Sequence, residues 1–244
     1  MLMTIYGRAV KVLLTKPFKL WGISLLGILL TSVLSGLCGI AIPALGIAVA
    51  MLIGTSLTII FLRGYRGEEV NTVQLFDCFQ NWYVIKRVVL GLGWMCLWIF
   101  LWGLIPVVGP ILALIRMYEY RLTPYILVFE PEVPITEAIK ISAQKTKGYK
   151  LQMWLADFLY ALICAVAGLI LGLLAAIPFI GVLFGLVLAL GTIAVTALGP
   201  LFVGLVQAAF YEEITGANVR YCAACGYKLV DGTAYCPNCG TPVL

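Results

Sequence analysis

Histidine does not occur anywhere in the 244 residues. Its absence removes the commonest general base and the commonest metal ligand together. Charge is the second scarcity. Only 11% of the chain is Asp, Glu, Lys or Arg, against 63% hydrophobic residues and a mean hydropathy of +1.07. An ordinary soluble domain is roughly 25% charged and about 45–50% apolar. So much apolar surface cannot be hidden in one water-soluble core, and lipid is expected to be the solvent. No cleavable leader is evident either. Arg8, Lys11, Lys16 and Lys19 precede the first apolar stretch, and no small-residue cleavage site follows a short apolar core. That stretch reads as a true span. With no nucleophile motif and no paired-carboxylate motif added to the missing histidine, the chain is not expected to be an enzyme.

Six long apolar runs are present, at about 20–37, 42–62, 88–105, 110–129, 152–176 and 180–208. Each approaches or exceeds the roughly 20 residues that cross about 30 Å of hydrocarbon. They fall into three pairs, about 20–62, 88–129 and 152–208, and each pair turns on the same word. The copies are Ile42-Pro43-Ala44-Leu45-Gly46, Ile105-Pro106-Val107-Val108-Gly109 and Ile177-Pro178-Phe179-Ile180-Gly181. Proline stops a helix and glycine takes the backbone angles of a turn, so a thrice-repeated helical hairpin is expected. The stretch before each hairpin shows helical periodicity. Residues 4–16 gather Thr4, Arg8, Lys11 and Thr15 on one face; 72–84 gather Val73, Phe76, Phe79 and Tyr83; 134–147 offer Ile135, Ile139 and Ala143. Such segments suit a helix lying along the membrane surface, and equally a packing helix against the bundle.

The fold class expected is therefore an all-α integral membrane domain over 1–215. It has about six transmembrane helices as three hairpins, each preceded by an amphipathic interfacial helix. A small β zinc ribbon over 221–244 follows it. The three turns carry no charged residue, whereas basic residues collect in 1–19, 63–87, 140–150 and the tail. The positive-inside rule then puts both termini in the cytosol and the turns outside, in a multi-pass protein of the cell (plasma) membrane. A five-span alternative would fuse 88–115 and carry Arg116, Arg121, Lys140, Lys145, Lys147 and Lys150 to the wrong side.

Eight cysteines are unevenly spread. Cys38, Cys78, Cys96 and Cys164 occur singly and read as small packing residues. Cys222 and Cys225, then Cys236 and Cys239, form two Cys-x-x-Cys pairs ten residues apart, each followed by glycine. That spacing presents four thiolates to one tetrahedral zinc; with the shell closed, the metal is structural, one Zn2+ per chain. So short a segment has almost no core, and metal binding would supply most of its folding free energy. Paired disulfides would need an oxidising compartment, and iron in a rubredoxin-like site could use the same ligands. Nucleic acid is not expected as a partner: residues 221–244 hold one Lys and one Asp, Lys228 and Asp231, and four thiolates leave the zinc site net negative. Tyr221, Tyr227 and Tyr235 suggest a protein contact, with a separate partner or with the membrane domain itself.

Four ionisable residues fall inside apolar runs: Arg116, Glu119 and Arg121 in the fourth, Asp157 in the fifth. Charges at such depth are costly, and are paired or functional. Arg116 and Glu119 are three apart and can pair; Asp157 can meet Arg121 from the next helix. Two readings stand, an ionic clasp between hairpins and a polar centre serving as gate, substrate site or headgroup site. Gly199-Pro200 should kink or end the sixth run, letting Phe210, Tyr211, Glu212 and Glu213 turn along the interface.

The run Leu75-Phe76-Asp77 with Phe79, Ile105-Pro106 with Gly109, Tyr118 and Tyr120, Tyr125-Ile126-Leu127, and Ala138-Ile139 with Ser142, Gly148 and Lys150 forms one pattern, closed by Pro200 and Phe210-Tyr211-Glu212. Over about residues 60–215 the chain resembles a bacterial integral-membrane family, the domain of unknown function numbered nine-seven-five. That family is distantly similar to the membrane domain of some glycerophosphodiester phosphodiesterases, which hints at lipid-related work. Where it has an Ala-Asp-Asn-Pro-like loop, this chain has Val128-Phe129-Glu130-Pro131, so no role of that Asp carries over. The ribbon resembles zinc-ribbon modules appended to bacterial membrane proteins. Two functions remain: a non-enzymatic scaffold or accessory subunit whose ribbon docks a protein, and a transporter or lipid-handling protein using the charged centre. Three hairpins in one orientation are not the inverted repeats usual in secondary transporters.

Overall fold

The computed structural model describes residues 2–15, 17–177, 181–215, 220–221, 228–229 and 235. In chain order these form α1 (Leu2–Thr15), α2 (Pro17–Ala41), α3 (Pro43–Tyr65), a 3-10 helix (Thr72–Phe79), α4 (Trp82–Gly103), α5 (Gly109–Glu119), α6 (Thr123–Phe129), α7 (Ile135–Lys145), α8 (Lys150–Ala175) and α9 (Gly181–Thr215). Strands β1 (Arg220–Tyr221) and β2 (Lys228–Leu229) follow. Among the described residues, five segments are long and apolar enough to cross a membrane: Lys19–Ile40, Pro43–Tyr65, Trp82–Gly103, Lys150–Ala175 and Gly181–Thr215.

The repeated turn is one device used three times. In every copy the glycine N–H donates to the isoleucine carbonyl four residues earlier: Gly46 to Ile42 at 3.2 Å, Gly109 to Ile105 at 2.8 Å and Gly181 to Ile177 at 2.8 Å. The glycine is required because the incoming helix passes so close. A Cβ would sit 2.5 Å from the Ser35 carbonyl oxygen in the first copy, 2.6 Å from that of Gly103 in the second and 2.2 Å from that of Ala175 in the third.

The expected fourth span is not a continuous helix. Residues 109–129 form α5 and α6, 11 and 7 residues long, or about 16 and 10 Å of helix, separated at Tyr120–Leu122. The cause is Pro124 near the start of α6: it has no N–H to give, and its ring would meet the carbonyl of Tyr120 one turn back. Together the two pieces still retrace α4. A Cβ on Gly103 would lie 3.8 Å from Ala113, and one on Gly91 2.6 Å from Leu127.

Other expectations need correcting. Residues 72–79 form a 3-10 helix ending before Asn81, which caps α4 by accepting from the Tyr83 N–H. Three residues per turn put Val73, Phe76 and Phe79 in one row and bury Leu75 and Cys78 in another. Helix α7 buries Ala138, Ile139 and Ser142 against the bundle, and Glu137, Lys140 and Gln144 are exposed on its outward side. Helix α9 runs through Pro200 without ending, and Phe210, Tyr211 and Glu212 are buried in the core instead of lying along an interface.

Burial is concentrated at the end of the bundle away from the three turns. There α1, both ends of the break and α7 pack with the starts of α2, α4 and α8 and the ends of α3 and α9. Tyr125 stacks on Tyr211 with ring centroids 4.3 Å apart. We call this region the collar. Of the apolar window of α8 none is buried, and of that of α9 only 6%, so beyond the collar this hairpin depends on lipid for its solvent.

Candidate functional site

The break between α5 and α6 strands backbone groups that a continuous helix would pair, and α7 supplies the partners. Ser142 Oγ donates to the Glu119 carbonyl at 2.7 Å and accepts from the Leu122 N–H at 3.2 Å. Thr146 Oγ1 donates to the same carbonyl at 3.2 Å. At the far end of α6, Arg87 of α4 donates from Nε to the Leu127 carbonyl at 3.2 Å and from Nη2 to that of Glu130 at 3.0 Å. Broken helices at such positions survive where side chains satisfy the freed backbone.

Because α5 stops at Glu119, its carboxylate reaches two cations: Arg116 Nη1 and Lys150 Nζ, each at 2.5 Å. Two residues further on, Arg121 grips Asp157 of α8 with both terminal nitrogens, at 2.5 and 3.2 Å, while the Tyr118 hydroxyl donates to the same carboxylate at 3.0 Å. Arg116 also lies over the Trp102 ring at 4.7 Å, and Arg121 over that of Tyr118 at 5.1 Å. With its amide oxygen turned toward the guanidinium, Gln207 of α9 accepts from Arg121 Nη2 at 2.6 Å and Nε at 2.8 Å. The four charged residues picked out of the sequence thus form two pairs, Arg116 with Glu119 and Arg121 with Asp157. Lys150, Tyr118 and Gln207 join them, and sequence reasoning had not placed these here. Gln207 left a signal, an amide in the apolar stretch 201–210.

Beside the Arg121–Asp157 pair is a small cavity lined also by Tyr125, Met153, Gln207 and Phe210. It has room for about one water. The Tyr125 hydroxyl is buried and has no hydrogen-bond partner among the described residues. Each carboxylate is thus held within the chain, Glu119 by Arg116 and Lys150, Asp157 by Arg121 and the Tyr118 hydroxyl. The depth of the centre follows from helix rise. Asp157 is seven residues from Lys150 and eighteen from Ala175, about 10 and 27 Å respectively, so the centre belongs to the collar.

Of the lone cysteines, Cys78 is buried; burial pushes its thiol up, leaving a packing residue. Cys222, Cys225, Cys236 and Cys239 lie outside the described residues. What is described brackets the first pair: β1 ends at Tyr221 and β2 begins at Lys228, antiparallel, with Arg220 opposite Leu229 and Tyr221 opposite Lys228. Four cysteines in two Cys-x-x-Cys pairs are the donor set of a closed tetrahedral zinc site, so the residues present fit the metal. Among the described residues no other group of His, Cys, Asp and Glu could hold a metal ion. No curated protein and no solved structure matches the chain. Residues 221–243 match the zinc-ribbon domain family.

Proposed function

We propose that the protein is a non-enzymatic, polytopic membrane scaffold or accessory subunit, with both termini cytosolic and a structural zinc ribbon that engages a protein partner. Kinship with the integral-membrane family numbered nine-seven-five belongs to the same reading. The observation that carries it is the self-sufficiency of the charged centre: Glu119 and Asp157 are each held by this chain's own cations, and the space beside Asp157 holds about one water. That arrangement favours a clasp fixing the α4–α7 unit onto α8 and α9. When bound, zinc supplies the ribbon's folding energy through Cys222, Cys225, Cys236 and Cys239, and the exchange of partners is left to the ribbon's surface.

The test is crosslinking and pull-down from native membranes with the full chain, a 1–220 truncation and Cys222→Ser/Cys225→Ser. A scaffold captures a specific partner only with the ribbon intact, and the cysteine variant loses its one zinc together with the partner. Identical capture by all three forms would overturn the reading. One observation favours transport or lipid handling as the second reading, namely the broken pass at Tyr120–Leu122, since discontinuous helices often frame transport sites. Loss of flux from reconstituted vesicles in Glu119→Gln or Asp157→Asn, with the fold intact, would select it.

A further inference from the structure

The turns joining α2 to α3 and α4 to α5 carry side chains that a turn in water would not choose. Residues 20–62 and 88–115, each enclosing one of these turns, contain no Asp, Glu, Lys or Arg. Ile40, Ile42, Leu104 and Val107 are exposed, Val107 at 93%. Val107 also holds a φ of +66°. Turns in water give that left-handed conformation to Gly, Asn or Asp, and it strains a β-branched residue. A valine kept fully exposed despite the strain is matched to an apolar solvent.

The backbone is as self-contained as the side chains are apolar. In the first turn the N–H groups of Ile42, Leu45 and Gly46 donate to carbonyls no more than four residues back. In the second, those of Leu104, Ile105, Val108 and Gly109 do the same. Pro43 and Pro106 bring no N–H at all. The hydroxyls of Thr31, Ser32 and Ser35, in the half of α2 that leads to its turn, each donate to a carbonyl of their own helix. Irregular backbone and polar side chains at membrane depth have to be satisfied from within, because no water is there to do it.

Helix length gives the depth. Lys86, exposed near the start of α4, is seventeen residues from Gly103; Lys19, exposed near the start of α2, is twenty-two from Ala41. These counts are about 26 and 33 Å of helix, against about 30 Å of hydrocarbon. With both lysines at the near boundary, α4 ends short of the far edge of the acyl chains and α2 ends at it. Neither helix has length left to carry its turn through the far headgroups.

We propose that the α2–α3 and α4–α5 turns are buried in the far leaflet, with Ile42, Val107 and their exposed neighbours packed on its acyl chains. A soluble partner or a solute then meets these two hairpins from the collar side and not from water beyond the turns. This rests on the membrane reading alone, and the ribbon plays no part in it.

The test puts one new thiol into the full chain, in the background Cys38→Ala/Cys96→Ala/Cys164→Ala, reconstituted in phosphatidylcholine vesicles. Val107→Cys and Ala44→Cys probe the turns. Glu68→Cys, at an exposed position just beyond α3, is the water-facing control. A membrane-impermeant maleimide present on both sides, with the labelling of the background subtracted, should modify the control at least about tenfold faster than either turn variant. The reactive thiolate is disfavoured in apolar surroundings. A nitroxide attached in detergent before reconstitution should, at the turns, collide more with lipid-soluble oxygen than with a water-soluble nickel chelate. At Glu68→Cys that order should reverse. Turn variants labelled as fast as the control would place the turns in water and overturn the proposal. Shielding of the turn nitroxides from both oxygen and nickel would overturn it too, since protein and not lipid would then cover them.

Discussion

Leu169, Leu173, Leu186 and Leu190 are about 60% exposed near the turn end of α8 and α9, while Met153, Ala156, Leu201 and Leu205, further along the same two helices, are 2% exposed or less. Composition does not separate these stretches, since both are apolar. What separates them is the neighbourhood of polar groups. The turn end has no charge to satisfy, and lipid is as good a solvent for leucine as protein is. At the collar, a broken helix, the ion pairs of Arg66, Arg116, Arg121 and Lys150 among others, and the caps of α5 and α6 have to be satisfied, and packing follows from the need to hold those partners still. The lesson is that in this protein tight packing tracks polar bookkeeping rather than hydrophobicity.

Four substitutions can break or sharpen that contrast, each read as unfolding of the purified full chain in detergent. Asp157→Ala should do the most damage, because Arg121, only 16% exposed, loses its carboxylate. The expected cost is about 3 kcal/mol, the low end for removing one member of a buried pair, and Asp157→Ala/Arg121→Leu should recover part of it. Next comes Gly204→Ala, whose Cβ would lie 2.1 Å from the Phe61 ring; overpacking of this kind costs about 1–3 kcal/mol. Ser142→Ala unpairs the Leu122 N–H and weakens the cap on Glu119, for about 1–2 kcal/mol. The smallest effect belongs to Gly168→Ala on the exposed half of α8, where a Cβ meets nothing within 4 Å. It should cost nothing and gain up to about 1 kcal/mol of helix propensity. Equal losses in Gly168→Ala and Gly204→Ala would show that the turn end is packed against something, and the contrast would fall.

Local signals in the sequence carried far. Ile-Pro-x-x-Gly names a turn because its proline, its glycine and the bond from the glycine N–H to the isoleucine carbonyl all lie within five residues. Arg116 with Glu119, and Arg121 with Asp157, could be matched by spacing and depth. The break at Tyr120–Leu122 was missed although Pro124 marks it, because hydropathy averaged over 110–129 ranks length above the one residue that cannot continue a helix. Lys150 and Ser142 were legible as members of a pattern but not as ligands of Glu119. Their partnership spans 31 and 23 residues, and no local periodicity reports a contact between separate helices. The separate roles of 4–16, 72–84 and 134–147 were likewise hidden, since an amphipathic face looks the same whether lipid, protein or water lies opposite.

The interrupted pass also sets an order of events. As the chain emerges, α5 and α6 are too short to be stable membrane segments by themselves, and the hydroxyls that close their gap belong to Ser142 and Thr146, synthesised some twenty residues later. Glu119 and Arg121 likewise wait for Lys150 and Asp157. Residues 82–129 are therefore expected to settle only after α8 has begun, with residues 82–157 assembling together in place of helix by helix.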